Sequence, residues 1–212
     1  MMAMRFRGST DTDPRHLVAA KMTDKRLRTA YRITRAAQRL AVEKGYDDFT
    51  LDELAERAEV SRRTLFNYYD SKLEATIGAG PWLDQHDIDV YLAGGPTGES
   101  VADLAELVLA TLRASAGDEF TREDLRMTRQ CFERNPKLLI ATADLFQDFI
   151  GGLQGLIQQR EGIRPDDPRS HLLLAMLASV FEVSLHYFGE GDERELADIY
   201  LDNLKIARKL LK

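Results

Sequence analysis

Apolar positions along most of this chain recur at intervals of three and four residues, and no stretch alternates apolar and polar long enough to make a useful strand. From about Asp24 to Lys44, Ile33, Ala37, Leu40 and Ala41 fall on one face of a helix, and Gly45 follows as its closing residue. Leu51, Leu54, Ala55 and Ala58 repeat the spacing over a second, shorter helix. Thr50 stands where its N-cap belongs, and Glu53 three residues later completes a capping box. Ser61 is placed to cap a third helix running to about Tyr69. On that helix Leu65 and Tyr69 share one face while Arg63 and Asn67 share another.

Beyond this point the pattern predicts a longer series of helices. One starts near Ser71, carries Leu73 and Ile77, and breaks at Gly78-Ala79-Gly80-Pro81; another break falls at Gly94-Gly95-Pro96-Thr97-Gly98. The apolar residues between the two breaks set no clear phase. Helices are then expected at roughly Ser100–Ala116, Thr121–Asn135, Pro136–Arg160, Asp167–Phe188 and Glu193–Leu211. Gly151, Gly152 and Gly155 sit inside the third of these, each costing roughly 1 kcal/mol relative to Ala. They mark either a close approach, bend or pocket wall, or a break into two helices at Gly151. The fold class is all-α: an N-terminal three-helix helix-turn-helix domain and a larger helical-bundle domain. The expected divisions are an arm at 1–23, the reader at 24–70 and the larger domain at 71–212.

The third helix carries chemistry suited to double-stranded DNA. Arg pairs bidentately with guanine edges and Asn with adenine edges, and an α-helix fits the major groove. The wider pattern consists of Ala36-Ala37, Leu40, Gly45-Tyr46, Thr50-Leu51-Asp52-Glu53-Leu54-Ala55, Ala58, Val60-Ser61, Thr64-Leu65-Phe66, Tyr68-Tyr69 and Ser71-Lys72. In this pattern the chain resembles the DNA-binding domain of the tetracycline-repressor (TetR) family of bacterial regulators. It departs from the family at Glu59, where the turn usually has Gly; a left-handed residue there costs the turn about 1 kcal/mol. The resemblance implies phosphate contacts from Thr50, Tyr68 and Lys72, with Arg62, Arg63, Thr64 and Asn67 toward the groove. Lys25 and Arg26, at the amino end of the first helix, are further phosphate candidates. Arg28, Arg32, Arg35 and Arg39 form a stripe opposite that helix's apolar face, either a phosphate-facing strip or a solvated one.

Charge first looks wrong for a DNA binder, since the formal total is -6. Residues 1 to 80 nevertheless carry +3 and the remainder -9, so a basic reader is joined to an acidic body. One cysteine, Cys131, excludes an internal disulfide and suits a reducing cytoplasm. The apolar run Leu172 to Phe181 is too short to span a bilayer, and the amino terminus has no long apolar core, so a cytoplasmic protein without a membrane partner is expected. The histidines lack HxH or HExxH spacing, and no GxGxxG, P-loop or GxSxG element is present. Accordingly no catalytic residue, metal site or cofactor is expected.

The series of helices after Ser100 implies two further tasks. The order of Arg129, Asn135-Pro136 and Leu138 resembles family members whose carboxy-terminal domain is assigned to acyl-CoA-like ligands. Trp82, Phe132, Phe146, Phe149 and Met176 are apolar candidates for a small-molecule effector site, with Arg129 and Gln130 as polar anchors. Residues 167–188 are apolar nearly all the way round, which requires burial on more than one side. The resemblance implies that the last two helices form a homodimer interface, with Leu177 and Phe181 in it. The expected function is a ligand-responsive dimeric regulator, most simply a repressor released from a palindromic operator. The alternative is a helical small-molecule-binding protein or enzyme with a vestigial helix-turn-helix.

Overall fold

The computed structural model describes residues 24–78, 81–116 and 120–210, so the amino-terminal arm expected at 1–23 lies outside the described residues. All the elements among the described residues are α-helices: α1 (Asp24–Lys44), α2 (Leu51–Arg57), α3 (Arg62–Phe66), α4 (Lys72–Ile77), α5 (Gln85–Leu92), α6 (Ser100–Ala116), α7 (Arg122–Arg134), α8 (Pro136–Glu161), α9 (Pro168–Gly189) and α10 (Leu196–Leu210). They fall into two compact units that are discontinuous in sequence. One holds α1 to Pro81 together with Arg113–Phe146; the other holds Trp82–Leu112 and the chain from Gln147 onward. The pattern alone places the boundary between reader and larger domain after residue 70, with the arm at 1–23 before them. The difference arises because α7 and the start of α8 bury their apolar faces on the reader helices.

In the first unit, Ile33, Ala37 and Leu40 of α1 meet Leu54 and Ala55 of α2, Leu65 of α3 and Ala75 of α4 in one buried cluster. Cys131 of α7 and Leu138 of α8 complete it. Burial pushes the Cys131 thiol up to about 11, as befits a small apolar core residue. Polar ties close the same seam: Arg35 pairs with the buried Asp124 at 2.6 Å, Thr128 donates to Gln38 Oε1 at 3.1 Å, and Arg134 donates to the Val42 carbonyl at 2.7 Å. α1 ends where Gly45 takes φ 101°, a conformation that costs glycine little.

In the second unit, Tyr91 of α5, Leu104 and Leu109 of α6, Leu156 of α8, Leu177 of α9 and Tyr200 of α10 share a separate core. A polar knot fixes the loop before α6. Arg160 Nη2 lies 2.6 Å from Asp103 Oδ2, its guanidinium sits 4.5 Å from the Tyr91 ring centre, and Thr97 donates to Asp103 through both its amide and its hydroxyl. α8 runs through Gly151 and Gly152 without a break, and both glycines are buried.

Leu177, expected at a dimer face, is instead enclosed in the core of its own chain, and Phe181 packs against that core with its ring edge-to-face on Tyr200 at 5.6 Å. The reason is helical phase. Ser170, Leu174, Leu177, Ser184 and Phe188 form the buried stripe of α9, which leaves Leu172, Val183 and Tyr187 exposed. α9 has 22 residues and an 18-residue window of mean hydropathy 1.6, long and apolar enough to cross a membrane by composition, and one stripe of it is buried in the core.

Candidate nucleic-acid interface

The connection between α2 and α3 determines how the candidate reader is presented. Thr50 accepts from the Glu53 amide at 3.2 Å while Glu53 Oε2 accepts from the Thr50 amide at 2.8 Å, so two orphan donors of α2 are satisfied reciprocally. The Glu53 carboxylate is held at a pKa of about 2 by the Lys44 ammonium, 2.5 Å away, and then by the Thr50 donors. α2 ends at Ala58, and Glu59 adopts φ 51°. The Glu59 amide then donates to Glu56 O at 3.0 Å and the Val60 amide to Ala55 O at 2.9 Å, a Schellman closure. Ser61 caps α3 by accepting from the Thr64 amide at 3.0 Å.

α3 is shorter than the pattern suggested. It ends at Phe66 with Asn67 as C-cap, because Tyr69 turns back into the core, where its hydroxyl donates to Ala30 O at 3.2 Å and meets Thr34 Oγ1 at 3.0 Å. Asn67 keeps αR geometry and bonds the Arg63 carbonyl at 3.2 Å, so Arg63 and Asn67 still project from one side. Both are exposed, and neither side chain has a hydrogen-bond or ion-pair partner among the described residues. Leu65, fully buried, anchors the opposite side; burial of such a side chain contributes about 1.5–3 kcal/mol.

The other reader candidates are placed differently. Arg62 is clamped by Asp52, with Nη1 2.8 and 2.9 Å from the two carboxylate oxygens, and its guanidinium lies 5.7 Å over Phe66. Thr64 is half-buried and shares a 2.8 Å hydrogen bond with Ser61. Arg26 donates to the Asn67 carbonyl at 3.4 Å and stacks over Tyr68 at 5.5 Å, while Lys25 on the same turn is exposed. Lys72, expected on a phosphate, points inward: its ammonium donates to Phe49 O at 2.8 Å and sits 4.5 and 4.9 Å from the ring centres of Phe49 and Tyr46. It fixes the turn that leads into Thr50. The carbonyls and rings of that turn form a local cation site, which sequence spacing does not reveal.

Phe66, not among the contacts expected from the sequence, is a further candidate for the reader surface. It is exposed on α3 beside Arg62 and Asn67. The signal was present in the sequence: Leu65 and Phe66 are adjacent, and a single-faced helix can bury only one of two neighbours.

The effector candidates divide between the two units. Trp82, Phe149 and Met176 belong to one; Arg129, Phe132 and Phe146 belong to the other. Phe132 packs on the reader core, Phe149 lies in the other core, Met176 and Phe146 are half-buried, and Arg129 is exposed on α7. Trp82 is buried with its indole N–H unsatisfied among the described residues.

The family described as "Bacterial regulatory proteins, tetR family" matches residues 33–74, which run from α1 through the helix-turn-helix into α4. The chain is 26% identical over 160 residues to the HTH-type transcriptional regulator TcmR of Streptomyces glaucescens, covering 74% of this chain and 71% of that protein. A solved structure of a Mesorhizobium loti MAFF303099 protein assigned to the TetR family of transcriptional regulators is 17% identical, covers 89% of this chain and 98% of that one, and has a TM-score of 0.47.

Proposed function

We infer, for a chain that belongs to the TetR family of transcriptional regulators, that it acts in the cytoplasm as a homodimer that reads a palindromic operator and releases it on binding a small apolar effector. It is a transcriptional regulator and not an enzyme. The observation that carries the reading is α3 itself. Arg63 and Asn67 stand exposed and unengaged on one side of a helix whose other side is locked into the core. Arg63 suits a guanine edge and Asn67 an adenine edge, while Phe66 suits a thymine methyl. Thr50, Lys25, Tyr68 and Arg26 are proposed to position the reader on phosphates.

Dimerisation is supported by the second face of α9. Leu172, Val183 and Tyr187 are large, exposed and on one side, and α10 adds exposed Ile206 and Leu210. A two-fold interface presents one patch twice, and two identical readers then require an inverted repeat. Val183→Asp with Tyr187→Asp is expected to give monomers in sedimentation and to abolish the specific gel-shift band together. A variant that sediments as a dimer removes this interface, and a monomer that binds operator at full strength removes the need for symmetry.

Effector binding is supported by buried donors in the second unit: Trp82 Nε1 and the Tyr200 hydroxyl lack partners among the described residues. An unmet buried donor costs about 1–3 kcal/mol, which a ligand carbonyl would recover. An acyl compound with an elongated apolar body fits that requirement. A tenfold release of DNA requires about 1.4 kcal/mol of preference for the non-binding conformation. A long-chain acyl thioester is therefore expected to raise the melting temperature and weaken operator binding over the same concentration range. Stabilisation with unchanged DNA affinity would leave a binder without a switch.

A further inference from the structure

Beyond Lys25, already proposed for a phosphate, α1 carries a cationic surface that the reader leaves unused. Lys25, Arg28, Arg32, Arg35 and Arg39 of α1 and Arg57 of α2 line a groove of about 790 Å³, with the short side chains of Thr29 and Ala36 between them. These charges are not equivalent. Arg35 is paired with Asp124 at 2.6 Å, Arg39 with Glu123 at 3.0 Å and Arg57 with Glu43 at 3.0 Å. Lys25, Arg28 and Arg32 are exposed and have no ion-pair partner among the described residues. The unneutralised charge is therefore confined to the amino-terminal part of the groove.

That part adjoins the reader. Arg26, next to Lys25, touches the C-cap of α3 through the Asn67 carbonyl. The seven residue-to-residue steps from Lys25 to Arg32 advance about 10 Å along a helix. One DNA strand places a phosphate about every 3.4 Å along its axis. Three cations thus face about three phosphates.

We propose that this groove is a phosphate track that holds the DNA backbone running past the half-site. The proposal rests on the DNA-reading function above. Lys25, Arg28 and Arg32 supply point charges to consecutive phosphodiesters, and the short Thr29 between them lets the backbone approach. Such contacts add affinity and salt dependence without sequence information.

The test compares wild type with Arg28→Gln/Arg32→Gln on an operator with long flanks and on one trimmed at the half-site edges. On the long duplex, the slope of log K against log[salt] is expected to become shallower by about 0.9 for each cation removed. On the trimmed duplex the two slopes are expected to coincide, with unchanged base preference. Arg28→Lys/Arg32→Lys, which keeps the charges, is expected to restore the long-duplex slope. Coincident slopes on both duplexes overturn the proposal. If sodium tripolyphosphate raises the melting temperature of wild type but not of the Gln variant while the DNA slopes coincide, the groove takes a free polyphosphate and the DNA assignment is overturned. The slopes are also read on non-specific long DNA, so loss of operator recognition is distinguishable from loss of the track.

Discussion

Replacing Glu59 by glycine isolates the cost of the turn on which the reader depends. Glu59 holds φ 51°, where an L-residue's Cβ crowds the backbone at a cost of about 1–2 kcal/mol. Its side chain is exposed and makes no hydrogen bond or ion pair among the described residues, so little is lost with it. The two closing hydrogen bonds, Glu59 N to Glu56 O and Val60 N to Ala55 O, are made by backbone that glycine retains. Glycine's greater freedom in the unfolded chain subtracts about 0.4–1 kcal/mol. The net expectation is stabilisation by about 0.5–1 kcal/mol, or a rise of roughly 1–4 °C in melting temperature for a chain of this size. Glu59→Val, β-branched at the same φ, should destabilise. Urea titration of the full chain measures both, and hydrogen exchange of the Val60 amide localises the effect to the turn. A Glu59→Gly variant less stable than wild type would refute the strain argument.

Lys72→Ala should lower stability by about 1–2 kcal/mol, since a charged hydrogen bond and two aromatic contacts are lost, while leaving the DNA salt slope unchanged; a slope shallower by about 0.9 would restore the phosphate role. Asp103→Asn breaks a buried ion pair and should cost about 3–5 kcal/mol in urea titration. Burial alone would raise the Asp103 pKa, but the Thr97 and Arg160 donors outweigh it and hold it below the ordinary carboxylate value. That stability is therefore present above the ordinary aspartate pKa and lost as pH falls through the lowered one, and the Asn variant should lack this acid dependence. Glu53, depressed from 4.5 to about 2, follows the same sign: the α2 cap is intact above about pH 4.5 and lost toward pH 2. In Glu53→Gln, protection of the first α2 amides should no longer change over that window.

Features set by neighbouring residues were legible in the sequence. The stop of α1 at Gly45, the Thr50 and Glu53 capping box and the left-handed Glu59 each depend on a few adjacent side chains. The Arg63 and Asn67 pair kept its side although α3 ended early, because one αR turn carries the phase past the last hydrogen-bonded residue. Features set by distant partners were not legible. Nothing near Lys72 announces that the turn carbonyl at Phe49 will accept its hydrogen bond, and nothing near Arg62 announces Asp52. Leu177 and Val183 are equally apolar in sequence; only the packing of the surrounding helices separates the core face of α9 from the open one. The grouping of α7 with the reader rests on pairs such as Arg35 with Asp124, far apart in the chain.

Selection of bound duplexes from a randomised library by the full-length chain tests the reader most directly. The expected product is an inverted repeat whose half-site centres lie about 34 Å apart, or somewhat wider. Arg63→Ala should relax one position in each half-site, at a cost of about 1–3 kcal/mol. Enriched sequences without two-fold symmetry, or an Arg63→Ala variant that weakens every position alike, would contradict a symmetric reader built on α3.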